Sequence, residues 1–240
     1  MADWASILDF NSRKAISGRH GFARISSVAF APKVELDSHM VRQAHPTKAK
    51  LVETATALLK IHPVSDISVD LILSESKISK GSLYHHFEDL NALIETALLE
   101  RYARWVDISV SSMTQILTNA KTSSDIYTGL IEVTKQTQDR KRAAERLFRA
   151  EILTMAGSSP TFAKQLNELQ QHLTDGLTDI VREAQERGFY KKGIDPKAIA
   201  VFIQAYTFGK IIDDFSADPV DADKYAELIN TIIKQVFLQN

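Results

Sequence analysis

The stretch SVDLILSESKISKGSLYHHFEDLNAL, residues 68–93, decides how this chain folds. Ser68 and Ser79 are placed to cap two short helices, since a serine hydroxyl accepts the free N–H groups of a first turn. A tight turn at Lys77 joins the two helices, and Asp89 is placed to cap a longer third one. Two short helices joined in this way are the layout of a helix-turn-helix motif, whose second helix enters the major groove of DNA.

Composition excludes several functional classes. The chain has 240 residues, 44% of them hydrophobic and 25% charged, and it contains no cysteine. Disulfides, thiol catalysis and cysteine zinc sites are therefore excluded, which fits a cytoplasmic protein. No apolar run reaches the length of about 18 residues that a membrane span requires. The N-terminal sequence MADWASILDFNSRK also lacks the basic start and apolar core of a secretory signal.

The charge of the motif is close to neutral. Residues 46–90 hold five Lys/Arg and six Asp/Glu, and the whole chain holds 29 and 30. A DNA-binding module is often visibly basic, so this balance counts mildly against a nucleic-acid partner. If the segment binds DNA, a few placed groups must contact the phosphates.

Residues 1–45 differ from the rest because they show no sustained helical period. Three interpretations remain open. The segment is a disordered N-terminal extension, or the functional start is Met40, or a basic arm follows the DNA backbone. The last is the weakest, because four acidic residues dilute the four basic ones, Arg13, Lys14, Arg19 and Arg24.

The rest of the chain has helical periodicity throughout, which predicts an all-α fold. Thr47 is a plausible cap for the first helix, and Pro63 ends it. Gly188 is placed to end a long helix, and Asp195 followed by Pro196 is a typical helix start. The predicted helices lie near 47–59, 69–76, 80–85, 90–105, 112–120, 125–138, 140–156, 161–187, 196–212 and 221–238.

The run Ile78-Ser79-Lys80-Gly81-Ser82-Leu83-Tyr84-His85-His86-Phe87 closely resembles the signature of the tetracycline-repressor (TetR) family of bacterial transcriptional regulators. The resemblance covers roughly residues 47–106. It implies a three-helix DNA-binding domain, 46–106, followed by a larger helical effector-binding and dimerisation domain, 107–240. The family signature has departures here: Leu90 replaces a frequent lysine, Pro63 a common glycine, and Lys77 the usual turn glycine.

The second helix of the motif carries the candidate DNA contacts. Its first residues offer free N–H groups, a lysine charge, and short side chains that can reach base edges. The resemblance implies that residues 79–82 lie at the operator and that Tyr84 and His86 hold phosphates. Phe87 is core, and Tyr84 taken alone is more typical of a half-buried tyrosine. The candidate DNA contacts are Ser68, Lys77, Ser79, Lys80, Gly81, Ser82, Tyr84, His85 and His86.

A DNA reader of this size is expected to work as a two-fold dimer. The resemblance favours a four-helix interface made by the last two helices, although their apolar stripes could instead close the intrachain core. The candidate interface residues are Val201, Ala205, Gly209, Ile212, Leu228, Ile232 and Val236.

An unknown small-molecule effector is expected between the helices of the larger domain. The candidate lining residues, each of which is also a plain core candidate, are Trp105, Met113, Tyr127, Phe148, Phe162, Phe202 and Tyr206. The basic run at 140–142, with Arg146 and Arg149, either attracts an acidic effector or forms a solvated helix face, and the second reading is favoured.

No residue pattern predicts catalysis, a metal or a cofactor. Asp213 and Asp214 point to different faces of a helix, and His172 has no partner at metal-ligand spacing. The leading hypothesis is a ligand-responsive DNA-binding repressor, dimeric on a near-palindromic operator in the bacterial nucleoid. The alternatives are an all-α enzyme or small-molecule carrier with a vestigial head, and an interaction protein that uses the fold without DNA.

Overall fold

A computed structural model describes residues 45–157 and 159–239, and α-helices make up most of this part of the chain. Between these bounds there is no strand beyond one isolated bridge, Tyr190 to Leu238. The predicted all-α fold is therefore confirmed. The predictions for residues 1–44, including Met40, lie outside the described residues. The elements are α1 Pro46–Leu58, a 3-10 turn Val64–Asp66, α2 Val69–Ser76, α3 Lys80–His86, α4 Leu90–Asn119, α5 Ser123–Gln138, a 3-10 turn Arg140–Arg142, α6 Ala143–Met155, α7 Pro160–Glu186, α8 Pro196–Gly209, α9 Ile211–Asp214 and α10 Ala222–Ile232, which a π-helical turn Ile233–Phe237 extends.

The first three helices form a small core against the start of α4. Leu51 on α1, Ile72 on α2, Leu83 on α3 and Leu93 on α4 are each fully buried. Burying such a side chain contributes about 1.5–3 kcal/mol. This shared core fixes α2 and α3 on the side of α1, so the helix-turn-helix is a rigid unit.

The start of α1 differs from the sequence prediction. Thr47 is not the N-cap; the cap is His45, whose Nδ1 accepts the Thr47 N–H at 3.3 Å. Pro46 occupies the first helical position, where its fixed φ suits a helix and its missing N–H costs nothing. Proline at that position was the signal that the sequence reading missed.

One continuous helix, α4, replaces the two predicted near 90–105 and 112–120. Val106 is the first residue of the predicted gap and is fully buried. Val110 packs on Gly176 of α7, where an added methyl group would come within 3.0 Å of both Val110 methyls. Tertiary packing on α7 therefore overrides the weak helix propensity of these β-branched residues. The predicted domain boundary at 106 falls inside α4, and the division into two domains stays a prediction.

The remaining helices close around a second core, which includes Leu130, Val181, Ile199 and Ile229. Gly188 ends α7 with a φ of 77°, and Asp195 caps α8 by accepting the Ala198 N–H at 2.8 Å, both as predicted. α8 packs on α7, and α10 packs on α5.

Candidate nucleic-acid interface and effector region

The turn of the helix-turn-helix is held by its own backbone and serines. Lys77 ends α2 in the left-handed conformation, with φ 58° and ψ 25°, and its N–H bonds the Leu73 carbonyl at 3.0 Å. This conformation costs a non-glycine residue about 1–2 kcal/mol. The buried hydroxyl of Ser76 accepts the Ile78 N–H at 3.2 Å, which closes the turn. The turn therefore accepts strain at Lys77 and exposes a cation beside α3.

Helix α3 has an exposed start, which Ser79 caps. The Ser79 hydroxyl accepts the Ser82 N–H at 3.2 Å, and the two hydroxyls lie 2.9 Å apart. Ser79 thus caps the helix as predicted. The pair also leaves Ser82 oriented by its partner, which restricts the directions in which its hydroxyl can donate.

The candidate DNA contacts lie on the outer side of the motif. Leu83 and Phe87 anchor the inner face of α3. Ser68, Lys77, Ser79, Lys80, Gly81, Tyr84 and His85 are exposed, and Ser82 and His86 are half-buried. An added methyl group at Gly81 would meet no atom within 4 Å. The protein's own packing therefore does not require glycine there, although a closely approaching partner would.

A cluster of basic side chains flanks the end of α3. The His86 ring lies 5.0 Å from the rings of both His45 and His85. Partial burial lowers the pKa of His86, and the charges of His45, His85 and Lys48 lower it further. His45 caps α1 and Lys48 lies in its first turn. Both lie far along the chain from α3, so neither was among the candidate DNA contacts predicted from the sequence. Neutral His86 is poised to gain a proton when an anion arrives.

The predicted effector residues fall into separate places rather than one cavity. Phe162 is buried core. Trp105 lies beside Arg149 of α6, and Phe148 lies beside Arg101 of α4. Met113, Tyr127, Phe202 and Tyr206 pack against the second core. A small apolar cavity lies beside that core, lined in part by Met113, Leu130 and Ile203.

The arginines of α6 do not form a solvated face. Arg146 is only 1% exposed and forms a two-pronged ion pair with Asp214, at 2.5 and 2.7 Å. The same guanidinium donates to the carbonyls of Thr137 and Asp139. The sequence interpretation is wrong for Arg146, because folding places a carboxylate from α9 against it. Arg149 lies between aromatic rings, with its Nε buried and unpartnered.

The candidate dimer residues lie mostly on an exposed face of α8 and α10, with Ile212 on the short α9 between them. Ile212 is 81% exposed and Leu228 is 55% exposed. Val201, Ala205 and Val236 are also exposed, while Gly209 and Ile232 are half-buried. An added methyl group at Gly209 would meet nothing within 4 Å. Ile232 packs against the second core of the same chain, whereas the other candidate residues are not part of that core.

Metal and membrane features were also sought among the described residues. Nowhere between residues 45 and 239, Ser158 aside, do three metal-ligating side chains gather. His172 lies 4.0 Å from Asp107 alone. Asp213 pairs with Lys210 and Asp214 with Arg146, so the two carboxylates face different partners as expected. No described helix is long and apolar enough to cross a membrane.

Comparisons with known proteins show that this fold is similar to that of TetR-family regulators. No family model matches the chain. The HTH-type transcriptional regulator UidR of Escherichia coli strain K12 is 20% identical over 195 residues, which cover 81% of this chain and 95% of UidR. A TetR-family regulator from Mesorhizobium loti superposes with a TM-score of 0.62 at 15% identity, over 80% of this chain and 97% of that one. A regulator from Saccharomonospora viridis, solved with choline, superposes with a TM-score of 0.59 at 18% identity, over 80% and 98%.

Proposed function

We propose that this chain, whose fold is that of TetR-family transcriptional regulators, is a sequence-specific DNA-binding regulator. The observation that carries the proposal is the outer face of α3. Leu83 and Phe87 are buried on its inner side, yet its start exposes Ser79, Lys80 and Gly81, and a methyl group added at Gly81 would meet no described atom within 4 Å. A helix presented in this way suits the major groove, where its N-terminal residues reach base edges and phosphates.

The division of labour follows from side-chain chemistry. Lys80 and Lys77 supply charges for phosphates, and Tyr84 supplies an exposed hydroxyl. His86 and its neighbours His45 and Lys48 supply a second phosphate site at the far end of α3. These phosphate contacts position the helix-turn-helix on DNA but do not distinguish one base sequence from another. Ser82 is the short, oriented side chain left for base edges, so selectivity is narrow and depends on few atoms.

The regulator acts as a homodimer on a near-palindromic operator, in the bacterial cytoplasm on the nucleoid. Support comes from the exposed apolar face of α8 and α10, because a monomeric protein rarely leaves such a patch uncovered. A two-fold dimer matches half-sites about 34 Å apart or a multiple of that. Repression is the expected sign, since a bound dimer occludes the site.

Contacts that join α1 of the DNA-binding helices to α4 and α6 support a response to a small molecule. Arg101 on α4 donates to the carbonyl of Leu59 at the end of α1, at 3.1 Å. Its guanidinium also lies 3.7 Å over the Phe148 ring of α6. A ligand that moves α6 therefore has a direct route to the DNA-binding helices. The choline seen in the Saccharomonospora viridis protein supports a ligand in this body.

The proposed function is tested by gel shifts with the chain's own upstream intergenic DNA at two salt concentrations. A discrete complex on a near-palindromic site is expected, weakening steeply with salt. Lys80→Ala should weaken binding to operator and random DNA alike and reduce the salt slope by about 1 per head. Ser82→Ala should instead change the preferred site. The matched control is Lys192→Ala, an exposed lysine outside the head. The absence of any sequence-selective complex at low salt would refute the proposal.

A further inference from the structure

Three arginines of one segment have unequal partners. Arg142 pairs with Glu145 at 3.0 Å, and Arg146 pairs with Asp214. Arg149 has no carboxylate within 4.0 Å among the described residues. Its closest acceptor is the Thr207 carbonyl of α8, 3.5 Å from Nη2, and its Nε has no hydrogen-bond partner. The folded chain therefore leaves the Nε–H of Arg149 without an acceptor, beside an Nη2 that has only this distant carbonyl.

An unsatisfied buried guanidinium is costly, because a charged donor loses its water without gaining an acceptor. Burial lowers the pKa of Arg149 to about 10, and the nearby charge of Arg146 also acts in that direction. The Trp105 ring lies 4.7 Å from the guanidinium carbon and the Phe208 ring 5.6 Å. These rings attract the cation through their faces. They cannot accept an in-plane hydrogen bond from Nε, so this buried donor stays unpaired.

A polar wall stands next to these rings. Tyr102 lies 5.4 Å from Trp105, and its hydroxyl donates to Gln170 at 2.6 Å. Gln170 donates in turn to Gln204, and Gln204 to the Thr174 hydroxyl at 3.2 Å. The place thus combines a cation, two aromatic faces and a chain of amides that can exchange partners. Small-molecule sites typically have this mixture.

We propose that Arg149 binds an organic anion, a carboxylate or a phosphate monoester, whose apolar body lies against Trp105 and Phe208. A planar guanidinium presents Nε and Nη donors in the fork that matches two anionic oxygens. That this ligand acts as an effector rests on the proposed function. That it binds at all rests on the unpaired Nε–H of Arg149 and on the aromatic rings around it.

Fluorescence of Trp105 reports the site directly. The chain has two tryptophans, so a Trp4→Phe background leaves Trp105 as the sole reporter. The probes are benzoate, phenyl phosphate and the neutral isostere benzamide. We expect a saturable change in emission with one of the two anions, and the tighter of them identifies the anionic group. Benzamide should bind at least tenfold more weakly. Equal binding of benzamide, or no binding of either anion at millimolar concentration, would overturn the proposal.

Variants assign the binding to one side chain. Arg149→Gln should weaken anion binding about ten- to hundredfold, because a hydrogen-bonded charge is lost. Arg149→Lys should retain part of it, since a lysine keeps the charge without the fork. Arg104→Gln, which alters an exposed arginine of α4, is the control and should bind like the parent chain. Unchanged affinity in a folded Arg149→Gln chain would also overturn the proposal. If that variant fails to fold, the affinities of the parent chain for the two anions and for benzamide decide whether the site binds an anion.

A gel shift with the same probes separates this inference from the proposed function. Anion binding at Arg149 without any operator complex would refute the regulator and leave the anion site standing. An operator complex in a chain that binds neither anion would refute the anion site and leave the regulator standing. We expect both activities, with the anion releasing the operator from the parent chain and not from Arg149→Gln.

Discussion

An added methyl group at Gly81 would touch nothing within 4 Å, so the fold itself tolerates alanine there. Alanine also has the higher helix propensity, by about 0.8–1 kcal/mol in a helix interior. We therefore expect the free energy of unfolding of Gly81→Ala, measured in urea, to equal or exceed that of the parent chain. Operator affinity should fall by about tenfold, because the methyl group would meet the DNA backbone or a base edge.

The matched control for Gly81→Ala is Gly129→Ala on α5. A methyl group at Gly129 would come within 2.6 Å of an Ile116 methyl, so this variant should lose stability. Together the two variants distinguish a glycine kept for packing from one kept for a partner. An unchanged operator affinity in Gly81→Ala would contradict its placement at the DNA.

The lowered pKa of His86 predicts that operator affinity depends on pH. Because the pKa is lowered in the free protein, His86 is neutral at pH 7. A phosphate against it favours the charged form and raises the pKa on binding, so complex formation takes up a proton. Operator affinity should therefore rise as pH falls from 8 towards 6. The charges that face His86 are those of His45, His85 and Lys48.

The control for this prediction is His86→Gln, which keeps a hydrogen-bond donor and removes the titration. Fluorescence anisotropy with a labelled operator across this pH range measures both proteins. The variant should show a flatter dependence than the parent chain. Parallel curves for the two proteins would mean that His86 does not contact a phosphate.

Some residue-scale features could be predicted from the sequence and others could not. The caps at Ser68, Ser79 and Asp195 follow from local chemistry, and the structure confirms them. The basic cluster at His45 and Lys48 could not be predicted, because it depends on α1 crossing the end of α3. Local signals fix caps and turns, whereas residues brought together by packing leave no sequence pattern.

At the scale of elements, the ion pair of Arg146 and Asp214 ties α6 to α9. Arg146 is 1% exposed, so removing Asp214 leaves an uncompensated buried charge. We expect Asp214→Leu alone to lower the free energy of unfolding by about 3–5 kcal/mol. The double variant Arg146→Met/Asp214→Leu should lose less than the sum of the two single changes, since no lone charge remains.

Urea unfolding of the four proteins in this cycle measures the coupling. The control is Arg104→Met, which removes an exposed pair with Glu100 and should cost at most about 1 kcal/mol. Additive losses in the double variant would contradict a coupled buried pair.

The length of α4 shows where periodicity misleads. The sequence predicted two helices, near 90–105 and 112–120, and the segment between Trp105 and Ser112 is rich in β-branched residues and serine. The break does not occur, because Val106 is buried and Val110 fits against Gly176. The reason lies on α7, about 65 residues further along the chain, so α4 alone could not reveal it. The predicted helices 125–138 and 161–187 match α5 and α7 closely, whereas the predicted helix 196–212 divides into α8 and α9.

At the scale of the whole molecule, the exposed stripe on α8 and α10 predicts a dimer. Ile212→Glu or Leu228→Glu should give a folded monomer by light scattering, because a charge cannot be buried at the interface without a partner. The monomer should bind the operator far more weakly and without two-fold protection. Leu153→Glu changes an exposed apolar residue of α6 and is the control. A dimer that survives both substitutions would move the interface elsewhere.

The fold was more predictable than the sites. The TetR resemblance of residues 78–87 is confirmed by the fold, because the signature combines caps, a turn and core positions that act locally. The candidate ligand residues were spread over several places, since aromatic residues serve cores and cavities alike. Arg149 differs from Arg146 only through its spatial neighbours, which the sequence of α6 does not contain.

The most direct test of the account is selection of DNA from a random pool by the intact chain at moderate salt. We expect enrichment of one near-palindromic sequence whose half-sites are one helical turn or a multiple apart, about 34 Å per turn. Lys80→Ala should enrich the same sequence more weakly, and Ser82→Ala a different one. Enrichment of no sequence, or of one unaffected by changes on α3, would contradict the claim that this helix reads DNA.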